Sequence, residues 1–320
     1  TPPSISSFGI TFPDTTAIKE LSFSMDDLQN YWQFFHKHEL EFGLRIVQDL
    51  LAIVAPEQYK PAPLRPLPER ITPIAREKLL EGQVLPAAVL KTILALSLSP
   101  NSPALYSDST PLRPINLNTY PQIHAGIRKV AKLLDIEVPQ IISAPQSLPN
   151  PGLVLNTLPA ALIVEAEELE NMSEIQWLTR CAYSCILALP TNILFASKSI
   201  TEIHDLYQLV IATLKMNEDE VTRADIVIQN LKQVLSDAKI SALTGNIIAR
   251  EDANSIRRAA LQVRSNASHV ALQLSQSLFS CVEFYSSQNN MWFPRSINTL
   301  KSNLKRNPEL HELLLYALTK

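Results

Sequence analysis

Ser173-Glu174-Ile175-Gln176-Trp177-Leu178-Thr179-Arg180-Cys181-Ala182-Tyr183-Ser184-Cys185 is the stretch on which the fold turns. Ser173 is followed three residues later by Gln176 and then by apolar residues, which is the signature of a capped helix start. The helix this predicts runs to about Leu189. Cys181 and Cys185 are four residues apart and so share one face of it.

On its N-terminal side lie three β-like runs, Glu137–Ser143, Gly152–Asn156 and Ala161–Glu165, preceded by a helix over Gln122–Leu134. On its C-terminal side the pattern predicts helices near Ile200–Lys215, Glu218–Leu243, Asp252–Phe284 and Glu309–Leu318. The third of these has the clearest seam: Ile256, Ala260, Val263, Ala267, Val270, Leu274 and Leu278 alternate at steps near four and three, the period of a helix packed along its length. Further upstream, one long amphipathic helix is expected from an N-cap at Ser24 to about Ala55, with shorter helices near Thr72–Glu81 and Ala87–Leu98. Six Gly stand against 23 Pro, so the prolines must punctuate connectors, and they crowd residues 56–73, 100–114 and 139–151. The expected fold is mainly α: a helical bundle with a small β-sheet of about three strands in the C-terminal half. A boundary near residue 118 separates a helical N-terminal region (1–118) with Pro-rich connectors from a second helical domain (119–320).

Composition narrows the function. Apolar residues make up 46% of the chain and charged residues 18%, which is enough to build a packed core and argues against wholesale disorder. A net charge of −3, with no long run of Lys and Arg, speaks against nucleic acid as a partner. The longest apolar windows, such as Leu85–Leu98 and Ile186–Ala196, fall well short of the ~20 residues of a membrane span. Three Cys cannot all pair internally, so a reducing, cytoplasmic setting is expected. The start, Thr1-Pro2-Pro3-Ser4, has neither Met nor a secretory signal, which suggests a trimmed or processed chain, or one part of a larger chain or assembly.

Few residues offer chemistry. His38-Glu39-Leu40-Glu41-Phe42 begins like a zinc-protease helix, but Phe42 stands where the second His belongs and a phenyl ring binds no metal. No Gly-x-Ser-x-Gly elbow and no Gly-rich phosphate loop occurs.

The segment Gly152–Leu189, two β-like runs followed by a Ser-capped helix, resembles the core of gluzincin metallopeptidases of the HtpX and CAAX-prenyl-protease type. In those enzymes the strand precedes a helix carrying His-Glu-x-x-His. Here Cys181 and Cys185 fall where the two His belong, and Ala182 replaces the general base. The family's third ligand lies on a later helix as Glu-x-x-Ala-Asp, and the matching run Arg264-Ser265-Asn266-Ala267-Ser268 puts Arg264 at the acidic ligand and Ser268 at the final position. The resemblance covers roughly Tyr120–Tyr285 and extends to a set of uncharacterised bacterial proteins with the same degenerate core. It implies a pseudo-enzyme: a non-catalytic binding or scaffold module with a protein partner and neither metal nor cofactor. The alternative is a hydrolase with noncanonical metal ligands, for which His204, His269 and Cys281 are the nearest candidates, or with an unrecognised active site. The bottom-up reading of Cys181 and Cys185 is two small buried thiols packed beside Trp177, Leu178 and Ile186. Packing of helices 173–189 and 252–284 against each other would aim Arg264 into the former metal cleft, toward the thiols, with a carboxylate, backbone carbonyls or solvent to receive its charge.

Overall fold

The fold is that of a computed structural model. It describes residues 13–63, 65, 71, 113–115, 119–144, 154–155, 161–165, 172–189, 192–193, 195, 201, 203–205, 253–288 and 291–319. The helices expected at Thr72–Glu81, Ala87–Leu98 and Glu218–Leu243 lie outside these residues, as does most of Ile200–Lys215.

The described residues are mainly helical. The first elements are α1 (Thr16–Lys19), α2 (Met25–Lys37) and α3 (Glu41–Val54). Ser24 caps α2 in a reciprocal box: its hydroxyl accepts from the Asp27 amide and the Asp27 carboxylate accepts from the Ser24 amide. The single long helix expected over Ser24–Ala55 is instead a hairpin. Apolar spacing continues across the break, which is why periodicity alone joins the two, but Glu39 takes a left-handed conformation (φ 53°) and turns the chain. Gly43 then lets α3 cross close to α2, because a Cβ there would overlap the ring of the buried Phe35.

A four-stranded sheet follows, in the order β1-β2-β4-β3: β1 (Arg113–Pro114), β2 (Gln140–Ala144), β3 (Val154–Leu155) and β4 (Ala161–Glu165). The central pair β2–β4 is parallel, with Ile141 opposite Leu162, and the short edge strands are antiparallel to their neighbours. Three of the four strands fall within the expected runs or at their edge. The fourth, β1, is two residues long and contains a proline that only an edge position tolerates. Helix α4 (Pro121–Leu134) begins with Pro at its first position and ends on Asp135 in the left-handed region (φ 55°).

Helix α5 (Glu174–Leu187) starts where the capping box Ser173/Gln176 places it. Helices α6 (Ala253–Ser275) and α7 (Leu278–Gln288) replace the one helix expected over Asp252–Phe284. Gln276 (φ 50°) breaks the chain, and the Ser277 hydroxyl accepts the Ser280 amide to restart it. Helices α8 (Ile297–Arg306) and α9 (Pro308–Thr319) close the fold.

Two cores result. The first collects Ile127, Val130, Ile141, Leu162, Val164, Trp177, Cys181, Cys185, Val263 and Val270 from the sheet, α4, α5 and α6. The second joins the N-terminal hairpin (Phe35, Ile46, Leu50) to the C-terminal helices (Leu278, Val282, Leu300, Leu313, Leu314), so residues from both ends of the chain share one interior. Helix α6 feeds both, with Val270 and Leu274 in the first and Leu272 in the second.

Candidate functional site

Helix α5 shows two different environments. Cys181, Ala182 and Cys185 are buried in the first core, with at most 1% of each exposed. Burial in this apolar setting holds the Cys181 thiol well above its ordinary value, with some counteraction from the neighbouring Arg180 cation, and pushes Cys185 up to about 12. Thiols so buried stay protonated near neutral pH, whereas the nucleophilic form is the thiolate.

Tyr183 packs instead against both cores. Its ring lies 5.1 Å from that of Phe284 and 6.1 Å from that of Tyr285, both on α7. Its phenol faces Glu309 of α9 and Arg264 of α6, and burial first, then the Glu309 carboxylate, drives its ionisation far out of reach. Tyr285 in turn hydrogen-bonds the Ser268 hydroxyl, and that hydroxyl also donates to the Arg264 carbonyl at 2.8 Å. The four helices α5, α6, α7 and α9 therefore meet in a polar cluster set between the two apolar cores.

Arg264 supplies the cluster's cation. Its guanidinium pairs with Glu309 at 3.3 Å and donates to the Phe195 carbonyl at 3.3 Å. Burial alone would lower its proton affinity, but Glu309 and the two phenols more than offset that and raise it. Glu309 sits in the first turn of α9, where the helix dipole favours a negative charge, and the preceding Asn307 caps that turn through its side chain to the Leu310 amide at 3.1 Å.

Helices α5 and α6 pack against each other, as expected for the segments 173–189 and 252–284. Arg264 and Ser268 share one place, and a carboxylate and a carbonyl do receive the guanidinium. The α5 side chain facing it is Tyr183, however, whereas the thiols lie within the first core. The physical reason is solvation: the Arg264 side chain keeps 39% exposure, which the sealed thiol face could not give it. Tyr183, Tyr285 and Glu309 are the members that the sequence did not single out. A phenol between Cys181 and Cys185 on the same helix was the available signal; Glu309 lies 45 residues beyond Arg264 and only the fold brings them together.

Among the described residues, no group of three or more His, Cys, Asp or Glu is placed to hold a metal ion. His269 stacks on Tyr316 of α9 with ring centroids 3.7 Å apart, Cys281 lies in the second core, and His204 is beside Asp205. The His38 region is the turn between α2 and α3, where His38 packs on Phe34. Among the described residues no helix is long and apolar enough to cross a membrane. Compared with models of protein families, with characterised proteins and with solved structures, the chain matches none.

Proposed function

We propose that this chain is a non-catalytic binding or scaffold module, built on a metallopeptidase-like arrangement of strand and paired helices whose catalytic positions have become structural. One observation carries the reading: Cys181, Ala182 and Cys185, which stand where a zinc helix would present its ligands and base, are buried in apolar packing with their thiols held protonated. Arg264, at the position of the acidic ligand, is committed to an ion pair with Glu309. A cation in that place repels a divalent metal, and Tyr183 and Tyr285 occupy the space around it with phenols that stay neutral. Such a site does not activate water, so the function falls to surfaces, and the partner on this reading is another protein.

The test is elemental analysis of the purified chain together with thermal unfolding in the presence and absence of a chelator. The expected result is substoichiometric zinc and an unchanged melting temperature. One equivalent of bound zinc, or a large fall in melting temperature on chelation, would instead support a hydrolase with noncanonical ligands.

A further inference from the structure

Trp292 is 89% exposed, while its immediate neighbours Met291 and Phe293 are anchored. The Met291 amide donates to the Ser286 carbonyl at 2.8 Å, and the Asn303 side chain of α8 donates to the Trp292 carbonyl at 2.9 Å. Phe293 packs its ring 5.0 Å from that of Phe279, and Pro294 is buried. The indole thus stands in water, displayed by its anchored neighbours. Exposing so large an apolar ring is unfavourable, and any environment that covers it gains the transfer free energy.

The charges of the stretch that carries it have one sign. From Phe284 to Pro308 the sequence carries Arg295, Lys301, Lys305 and Arg306 and no Asp or Glu, in a chain whose net charge is −3. Arg295, Lys305 and Arg306 are exposed; Lys301 lies over the Phe23 ring and feels the Asp27 carboxylate, so it is partly engaged. The Asn303 bond holds the middle of α8 against the turn, and Arg306 follows one helical turn later. The apolar face of α8 itself is spent in the second core through Leu300 and Leu304, so the helix cannot lie in a bilayer, and among the described residues from Met291 to Arg306 the indole is the one large apolar side chain that is exposed.

We infer that the segment 291–295 and the exposed basic residues at the end of α8 form a docking surface for an anionic phospholipid membrane, with the Trp292 indole entering the headgroup region while Arg295, Lys305 and Arg306 meet the lipid charge. An indole is suited to that depth because its ring is apolar and its N–H is polar. The inference is independent of the inactive-site reading and would stand if that reading failed.

The experiment is co-sedimentation and tryptophan fluorescence of the full chain with vesicles of phosphatidylcholine containing phosphatidylserine, set against vesicles of phosphatidylcholine alone. Binding to the anionic vesicles only, weakened by salt and accompanied by a blue shift, is expected. Trp177 is buried and Trp32, 39% exposed, is stacked on His36 of α2, so Trp292→Ala should remove most of the shift and weaken binding by roughly tenfold. Arg306→Gln and Lys305→Gln should each weaken it about fivefold. All three positions are on the surface, and an unchanged thermal melt for each variant confirms that folding is intact. Failure to bind anionic vesicles, equal binding to both vesicle types, or undiminished binding by Trp292→Ala would overturn the inference. So would binding to polyglutamate in place of vesicles, or a dimer in analytical ultracentrifugation that Trp292→Ala dissolves; those results would assign the surface to an acidic protein or to a second copy of this chain.

Discussion

The two cores handle polarity in opposite ways. The first keeps it local: around a centre of aliphatic side chains, Trp177 and two thiols, α5 buries Thr179, Arg180 and Ser184, the Thr179 hydroxyl donates to the Ile175 carbonyl one turn back at 2.8 Å, and the Trp177 indole N–H donates to the Ile123 carbonyl at 3.3 Å. The second has a carboxylate at its edge. Asp49 of α3 is fully buried and accepts the Ala62 amide at 2.8 Å on one oxygen and the Phe279 amide at 3.1 Å on the other. It ties the hairpin, the proline-rich segment after it and the start of α7 to one residue. The difference teaches what each core must do. The first is assembled from a sheet and helices that lie within one continuous part of the sequence, where apolar packing dominates and the Thr179 hydroxyl is satisfied within its own helix. The second joins segments about 230 residues apart, and there a directional group specifies which segment meets which.

That contrast predicts the largest effect at Asp49. Asp49→Ala strands the Ala62 and Phe279 amides and should cost on the order of 3 kcal/mol in denaturant unfolding. Asp49→Asn should cost nearly as much, since its NH2 would face one of those amides and cannot accept. Cost near zero for either variant would mean that the second core, like the first, is held chiefly by apolar packing. Burial raises the Asp49 pKa above the ordinary 3.8, only partly countered by the Phe279 and Ala62 amides and the Arg45 guanidinium. A group whose folded pKa is raised contributes stability that is fully present below the unfolded value and lost as pH rises through the folded value. Wild-type unfolding free energy should therefore carry a component that grows on acidification from the raised folded pKa down to 3.8, and Asp49→Asn should lack it.

How far the sequence disclosed these cores follows from which interactions are local. The capping box at Ser173, the β4 run Ala161–Glu165 and the part of the seam from Ala260 to Leu274 are written in neighbouring residues, and each is found in the structure, whereas Leu278 falls beyond the break in the second core. Strand β2 begins at Gln140 rather than Glu137 because Val138 is 40% exposed and Pro139 cannot donate to a ladder. The breaks at Glu39 and Gln276 were hidden because apolar residues keep helical spacing across both. What turns the chain there is one left-handed residue, made tolerable by tertiary partners: Phe35 under Gly43 in the first case and Asp49 over the α7 start in the second. The candidate site divides in the same way. Burial of Cys181 and Cys185 could be read from their helix, while the receiver of the Arg264 charge could not be identified without α9.

Cys181→Ser places a hydroxyl without a designated partner among Ile, Val and Leu side chains and should cost about 1–3 kcal/mol. Cys185→Ala, which introduces no polar group, should cost less. In the native protein both thiols should react with an aromatic disulfide reagent only as fast as the chain opens, because they are buried and their ionisation is pushed up by burial. Immediate labelling of either thiol would break the comparison by showing the first core to be open to water.

The smallest effect is expected where the two cores meet, and its asymmetry is the informative part. Glu309 keeps 15% exposure of its side chain and Arg264 keeps 39%, so the carboxylate depends on the pair more than the guanidinium does. Arg264→Met leaves Glu309 facing Tyr183 and Tyr285 without its cation. Glu309→Gln leaves a guanidinium that can still donate to the Phe195 carbonyl and reach water. The first substitution should therefore destabilise more than the second, and a double-mutant cycle should give a coupling of roughly 1 kcal/mol, the range of a partly exposed pair. Salt should reduce that coupling, because the guanidinium side of the pair is open to solvent. Equal costs with zero coupling would make the pair an incidental contact, and the polar cluster would then be held by Ser268 and Tyr285 alone. A coupling several times larger and insensitive to salt would place the guanidinium in a sealed interior, which is the geometry the sequence suggested when it aimed Arg264 at Cys181 and Cys185.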